Sequence, residues 1–240
     1  MVSLKGQRIL IMGGSSGIGF TTARMLIDAG ADVTITGRNL EKIETAKAQL
    51  GTLAHGAAVD ATSTPQLQTF FQEYGRFDHL VICVSGAAGG GAFRTLGLDN
   101  LRHGFEAKFW PQVVAAQLSL ETLRRDGSIT FITSSSAHRA LPETAGLAAI
   151  NGALDAMVPT LAVELRPLRI NAVSPGVIVT PWWDRVSEEF RDNFFAQSAA
   201  KAPAGRIGQP EDIAQVIVFL IQNTFMTGSI IDCDGGARLC

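Results

Sequence analysis

The chain has 240 residues, 46% of them hydrophobic, with a net charge of −2 and no basic block. That length suits one large α/β domain able to bury most of its surface, and the near-neutral balance excludes nucleic acid and acidic membranes as expected partners. No apolar run is read as reaching membrane-spanning length and no signal peptide is read ahead of Arg8, so a cytoplasmic location is expected.

In chain order, the first predicted strand is Arg8–Met12. It runs into Gly13-Gly14-Ser15-Ser16-Gly17-Ile18-Gly19 and then a helix over Phe20–Ala29 that stops at Gly30. Between a first strand and a first helix, this cluster has the makings of a phosphate loop. Gly13 permits the tight exit from the strand, Gly17 lets the backbone approach a pyrophosphate, and Gly19 lets the helix pack against the sheet. A plain glycine-rich turn is the alternative. The second strand, Asp32–Thr36, leads into Gly37-Arg38. A carboxylate here would favour NAD(H) by accepting bonds from a ribose 2′-hydroxyl. Arg38 instead offers a cationic fork suited to a 2′-phosphate, so NADP(H) is favoured over NAD(H). An exposed surface arginine is the other reading.

Further strands are predicted at Leu53–Val59, His79–Val84, Ser128–Thr133, Arg169–Ser174 and Ser229–Cys233. Gly51 and Gly75 end helices, and Thr64-Pro65 begins one. Alternating strands and helices predict a doubly wound Rossmann fold, a parallel sheet with helices on both faces, as one domain over 1–240. The three cysteines and four histidines have no metal-ligand spacing, so no metal site is expected.

Collinear segments over nearly the whole chain resemble the short-chain dehydrogenase/reductase family. They are Gly13-x-x-x-Gly17-Ile18-Gly19, Asp60 after the third strand, Asp78-His79-Leu80-Val81, and Gly127-Ser128-Ile129 leading to Ser134. Asn171-Ala172-Val173-Ser174-Pro175-Gly176, Thr180-Pro181, the stretch Arg206 to Ala214 and Asp234-Gly235-Gly236 complete the pattern. The resemblance implies a seven-stranded parallel sheet, a nicotinamide cofactor, a small-molecule carbonyl or alcohol substrate, and a homodimer or homotetramer. It implies cofactor contacts at Ser15, Ser16, Asp60, Ala61, Ser85, Gly86, Asn151, Pro175, Gly176, Ile178 and Thr180, beside the glycine loop and Arg38. It also makes the segment 180–204, with Trp182, Trp183, Phe190, Phe194 and Phe195, a substrate lid. Such a lid suits an apolar or ring-containing ligand, or else buries an aromatic stripe in the core.

The chain departs from the family where the proton is handled. The family's Tyr-x-x-x-Lys pair falls on Leu147 and Asn151, and the sole tyrosine, Tyr74, lies elsewhere. The family's asparagine on an earlier helix falls on Lys108, so lysine and asparagine are exchanged between two helices. Ser134 keeps the position of the serine that orients the carbonyl. Lys108, partly desolvated, is then a candidate general acid, with Asn151 bonding the cofactor ribose or Lys108 itself. An ordinary solvated lysine in a dead site is the opposing reading. His138, four residues past Ser134, is a second candidate acid or else a solvent-facing loop residue. Pro111 and Pro159 are expected to kink the two helices. Three functions remain open: an NADP(H)-dependent oxidoreductase with a non-standard proton relay, a nicotinamide-binding sensor or interaction protein without catalysis, and a non-redox isomerase or cyclase.

Overall fold

A computed structural model describes residues 3–240. Seven parallel strands lie in the order β3-β2-β1-β4-β5-β6-β7. They are β1 (Arg8–Met12), β2 (Asp32–Gly37), β3 (Ala54–Ala58), β4 (Phe77–Ile82), β5 (Leu123–Ile132), β6 (Arg169–Pro175) and β7 (Ile230–Cys233). Strand β1 shows how alternation builds two layers. Ile9 and Ile11 face one way, into a core shared with α1 (Gly17–Asp28), α2 (Leu40–Leu50) and α8 (Pro210–Gln222). Leu10 and Met12 face the other way, toward α3 (Thr64–Tyr74), α5 (Trp110–Ser119) and α6 (Ala145–Glu164). The period of two places successive side chains on opposite faces, and both faces are covered, so the strand reads as continuously apolar.

The strand order reverses between β1 and β4. In such a sheet a crevice opens beyond the carboxyl ends of the strands at this point, where ligands characteristically bind. Four of the segments singled out in the sequence for chemistry leave a strand on this edge: Gly13 after β1, Ser85 after β4, Ser134 after β5 and Gly176 after β6.

Several boundaries differ from the sequence-based expectation. Strand β5 starts at Leu123 rather than Ser128, because Phe77 pairs with Leu123 before a register shift lets His79 pair with Ser128. The polar run Arg124-Arg125-Asp126 on that irregularity hides the strand from a hydrophobicity pattern. Pro159 does not break α6, which continues through it for 20 residues. The expectation that no apolar run reaches bilayer length is also corrected: α6 is long and apolar enough by length and composition. Its apolar character serves the core, since Ile150, Leu154 and Val158 are buried, the latter two beside β6 residues Ile170 and Ala172.

One buried charge holds the far end of the sheet. The Arg169 guanidinium donates to the carbonyls of Leu220 (2.6 Å), Ile221 (3.0 Å) and Asn223 (3.0 Å), closing the C-terminal turn of α8. Those carbonyls have no helical partners of their own. Arg169→Met is expected to destabilise the fold by about 3 kcal/mol, since buried acceptors lose charge-assisted bonds. A urea midpoint that moves by less than ~1 kcal/mol equivalent would contradict this role.

Candidate functional site

The turn between β1 and α1 is a backbone cradle. Gly13 (φ +81°) and Gly17 (φ +53°) adopt conformations that side chains resist. A Cβ on Gly19 would lie 2.3 Å from the Gly13 carbonyl oxygen, so the helix packs on the turn only because residue 19 has no side chain. Ser16 caps α1 with extended backbone but without a side-chain hydrogen bond, leaving the first N–H groups of the helix open to an anion. Ile18 packs on the core behind the turn, and Ser15 Oγ lies beside Gly37. The Thr180-Pro181 turn sits directly over Gly17, with Thr180 Cγ2 3.2 Å from where a Cβ would be. This cradle fits a dinucleotide diphosphate.

At the end of β2, Arg38 is exposed and has no hydrogen bond or ion pair among the described residues. Asp60 Oδ1 accepts from the backbone N–H (3.0 Å) and hydroxyl (2.8 Å) of Thr62, which fixes its carboxylate in a turn beside buried Ala61. Pro175 is buried at the end of β6. Gly176 abuts the Asp234 backbone, and Ile178 pairs with Gly208.

The segment 180–204 is tied to this edge by its two tryptophans. Trp182 Nε1 donates to the Gly86 carbonyl (3.1 Å), and Trp183 Nε1 donates to the Ile178 carbonyl (2.9 Å). Trp183 is the hub of the lid, with Trp182, Phe194 and Phe195 each about 5 Å away, ring centre to ring centre. The lid helix α7 (Glu188–Lys201) buries none of its residues, so its aromatics pack on one another rather than forming a core stripe. Ser85 is exposed, whereas Gly86 is pressed against Ala107, whose Cβ a Gly86 Cβ would meet at 2.5 Å.

Behind the lid lies a cluster of polar side chains. Helix α4 (Leu98–Gly104) passes into a π-helical turn over Phe105–Phe109 before α5 begins at Trp110. Pro111 lacks the N–H that would bond to the carbonyl four residues back, and it stands in the first turn of α5, where that N–H is least needed. The turn carries Lys108, whose Nζ donates to the Thr133 carbonyl (2.9 Å), the residue before Ser134. Burial pulls its ammonium down to about 8, against the opposing pull of Asp155 and Cys83. Burial pushes the Cys83 thiol up to about 12, so Cys83 stays neutral.

Ser134 follows β5 in extended conformation, and its Oγ accepts from the Ser136 N–H (3.3 Å). Asn151 does not bond Lys108. Its Nδ2 donates to the Leu147 carbonyl (2.8 Å) and Ser136 Oγ (3.2 Å), and its buried Oδ1 has no donor in the protein. Leu147 packs against the Gly89-Gly90 loop, filling that space with methyl groups. His138 is not a free loop residue. Its Nδ1 is 2.8 Å from Asp232 Oδ1 and its Nε2 is 3.2 Å from Asp155 Oδ2.

Asp155 and Asp232 were not singled out by the sequence. Asp155 had one signal: it lies four residues past Asn151, on the face of α6 that buries Ile150 and Leu154. Burial pushes its carboxyl above the usual range, although the Thr133 hydroxyl, His138 and Lys108 pull the other way. Its contact with His138 is at ion-pair distance but lacks hydrogen-bond geometry. The Thr133 hydroxyl is bonded instead to the Val173 carbonyl (3.4 Å), so neither oxygen of Asp155 has a hydrogen-bonding partner within the protein.

Comparison with known proteins accounts for this architecture. The family described as Enoyl-(Acyl carrier protein) reductase matches residues 13–238. The short-chain dehydrogenase/reductase ATR9 of Stachybotrys chlorohalonatus is 32% identical over the full length of both chains. The 3-oxoacyl-[acyl-carrier-protein] reductase FabG of Thermotoga maritima is 30% identical, covering 97% of this chain and 98% of the relative. A small-chain dehydrogenase solved in complex with NADPH superposes with a TM-score of 0.84 at 31% identity, covering 98% of this chain and 99% of the other. The reversal of strand order, the glycine cradle on α1 and these full-length likenesses lead to one assignment: the chain belongs to the short-chain dehydrogenase/reductase family, nicotinamide-dependent oxidoreductases that act on small molecules.

Proposed function

We propose that the chain is an NADP(H)-dependent carbonyl reductase, or the reverse alcohol dehydrogenase, in which Lys108 stands in for the family's tyrosine as proton donor. The observation that carries this reading is the placement of Lys108. Its ammonium is anchored on the carbonyl that immediately precedes Ser134 and is held near neutrality by burial. A general acid works best with a pKa near the operating pH, and a desolvated lysine meets that requirement.

The diphosphate is held by Gly13, Ser15, Ser16, Gly17, Ile18 and Gly19, with Thr180 above. Arg38 takes the 2′-phosphate, Asp60 and Ala61 border the adenine, and Ser85, Gly86, Asn151, Pro175, Gly176 and Ile178 border the nicotinamide half. When bound, the cofactor supplies or accepts the hydride. Ser134 Oγ donates a hydrogen bond to the substrate carbonyl oxygen and orients it. Lys108 Nζ spends one of its three N–H bonds on the Thr133 carbonyl, and the other two remain for delivery to that oxygen as it gains negative charge. Trp182 and Trp183 exclude water and present ring faces, which suits an apolar or ring-containing substrate.

The NADPH complex of a 31% identical relative supports the cofactor choice, as does the unpaired guanidinium of Arg38. Calorimetric titration tests it. NADPH is expected to bind more tightly than NADH, and Arg38→Ala is expected to cost about 1.5–3 kcal/mol in NADPH affinity with little effect on NADH, since one charge-assisted contact is lost. Equal affinity for the two cofactors in the unaltered chain would sink the preference. The redox reading itself is tested by following loss of NADPH absorbance with a panel of cyclic and aromatic ketones. Product formation without NADPH consumption would instead favour a non-redox reaction.

A further inference from the structure

We infer that Asp155 and His138 form a proton path that connects Lys108 with solvent at the β7 edge of the sheet. Three observations carry it. The first is continuity. Thr133 is the common neighbour of both ends, its carbonyl taking Lys108 Nζ at 2.9 Å while its hydroxyl borders Asp155. Asp155 is in turn 3.2 Å from His138 Nε2, and His138 Nδ1 is 2.8 Å from Asp232.

The second is the gradient of exposure. The Asp155 side chain is 8% exposed, that of Asp232 21% and that of His138 32%, so the chain of groups runs from the interior to water. The third is the kind of atom left unpaired. Gln112 Oε1, Asn151 Oδ1 and both oxygens of Asp155 are buried without a donor from the protein. Gln112 sits one helical turn past Lys108, with its Nε2 committed to the Val84 and Ile132 carbonyls. These four atoms are all acceptors. Such a pocket is suited to water or to a shared proton.

The other charged groups facing this path are few. Arg238 Nε meets Asp232 Oδ2 at 3.2 Å and its Nη1 meets Asp234 Oδ1 at 3.1 Å, so a guanidinium sits on the far side of Asp232 from His138. Cys83 borders Lys108 as a neutral thiol. The path works in ordinary proton steps. A water-borne proton adds to His138 at one ring nitrogen, the other nitrogen passes a proton to Asp155, and the carboxyl passes it through an intervening water to a neutral Lys108 amine. Asp155 ends as it began, His138 ends as its other tautomer and resets by exchange with water, Lys108 ends as the ammonium, and no electron is moved.

The inference rests on Lys108 being the proton donor only for its purpose, since it can be measured without substrate. In the full chain labelled with 15N, hydrogen exchange of the Lys108 Nζ protons is followed by NMR, with Lys108→Met identifying the signal. His138→Gln is expected to slow that exchange at least tenfold, and added imidazole to restore it. Asp155→Asn is expected to slow it without imidazole rescue. Unchanged exchange in His138→Gln overturns the path, and so does slowing that imidazole fails to relieve, which marks a purely structural residue. Thermal unfolding of each variant verifies that the fold is retained, and His138→Gln carries the test if Asp155→Asn does not fold. Should Lys108→Ala keep full turnover while exchange behaves as expected, the catalytic role of Lys108 falls and the proton path stands.

Discussion

Lys108→Ala is expected to lower the rate of carbonyl reduction by about a hundred- to ten-thousandfold, the usual range for loss of a general acid. Affinity for NADPH should stay within a few-fold of the parent, because the phosphate cradle lies on a different element. The same group sets a pH dependence whose sign can be worked out. Reduction needs the protonated ammonium, and burial lowers its pKa from 10.5 to about 8. The reduction rate should therefore be level below about pH 8 and fall tenfold per unit above it. Stability responds in the opposite sense. Between about 8 and 10.5 the unfolded chain binds the proton that the folded chain has released, so stability rises with pH across that window. The burial penalty is felt in full only below it. Turnover of Lys108→Ala equal to the parent, or a reduction profile with no break near pH 8, would remove Lys108 from the chemistry.

Gly19→Val is expected to weaken NADPH binding at least a hundredfold. Its Cβ would fall 2.3 Å from the Gly13 carbonyl oxygen, and that oxygen belongs to the backbone, so it cannot swing aside as a side chain would. The start of α1 has to move away from the turn. Two or more charge-assisted N–H bonds to the diphosphate are then lost, at about 1.5–3 kcal/mol each. Titration calorimetry reads the effect directly, and circular dichroism shows whether the rest of the chain stays folded. An unchanged dissociation constant would mean that the diphosphate is not held by this turn.

The two effects separate binding from chemistry. One variant is expected to keep the cofactor and lose proton delivery, and the other to keep Lys108 and lose the cofactor. The exchange of residue types between the two helices gives that separation its interest. Lys108 stands on the π-helical turn, and Leu147 leaves its stretch of α6 with an aliphatic surface against the Gly89-Gly90 loop.

Much of this protein could be read from its amino acids, because the signals involved are local. Strand β1 needs only apolar residues in sequence, the cradle needs glycines at set intervals after a strand, and Arg38 is informative because nothing acidic stands at the end of β2. Leu147, Asn151 and Lys108 stood out for the same reason, as residue types that depart from a recognised pattern. What the sequence could not supply is anything that depends on which distant segments meet. Asp155, His138 and Asp232 are scattered over 94 positions and come together only because α6 packs beside β6 and β7 pairs with it. Trp182 meets Gly86 across 96 positions because the lid folds back over the sheet edge. Burial decides the rest: Lys108 is an ordinary lysine in composition, and its pKa falls only because the fold buries its side chain.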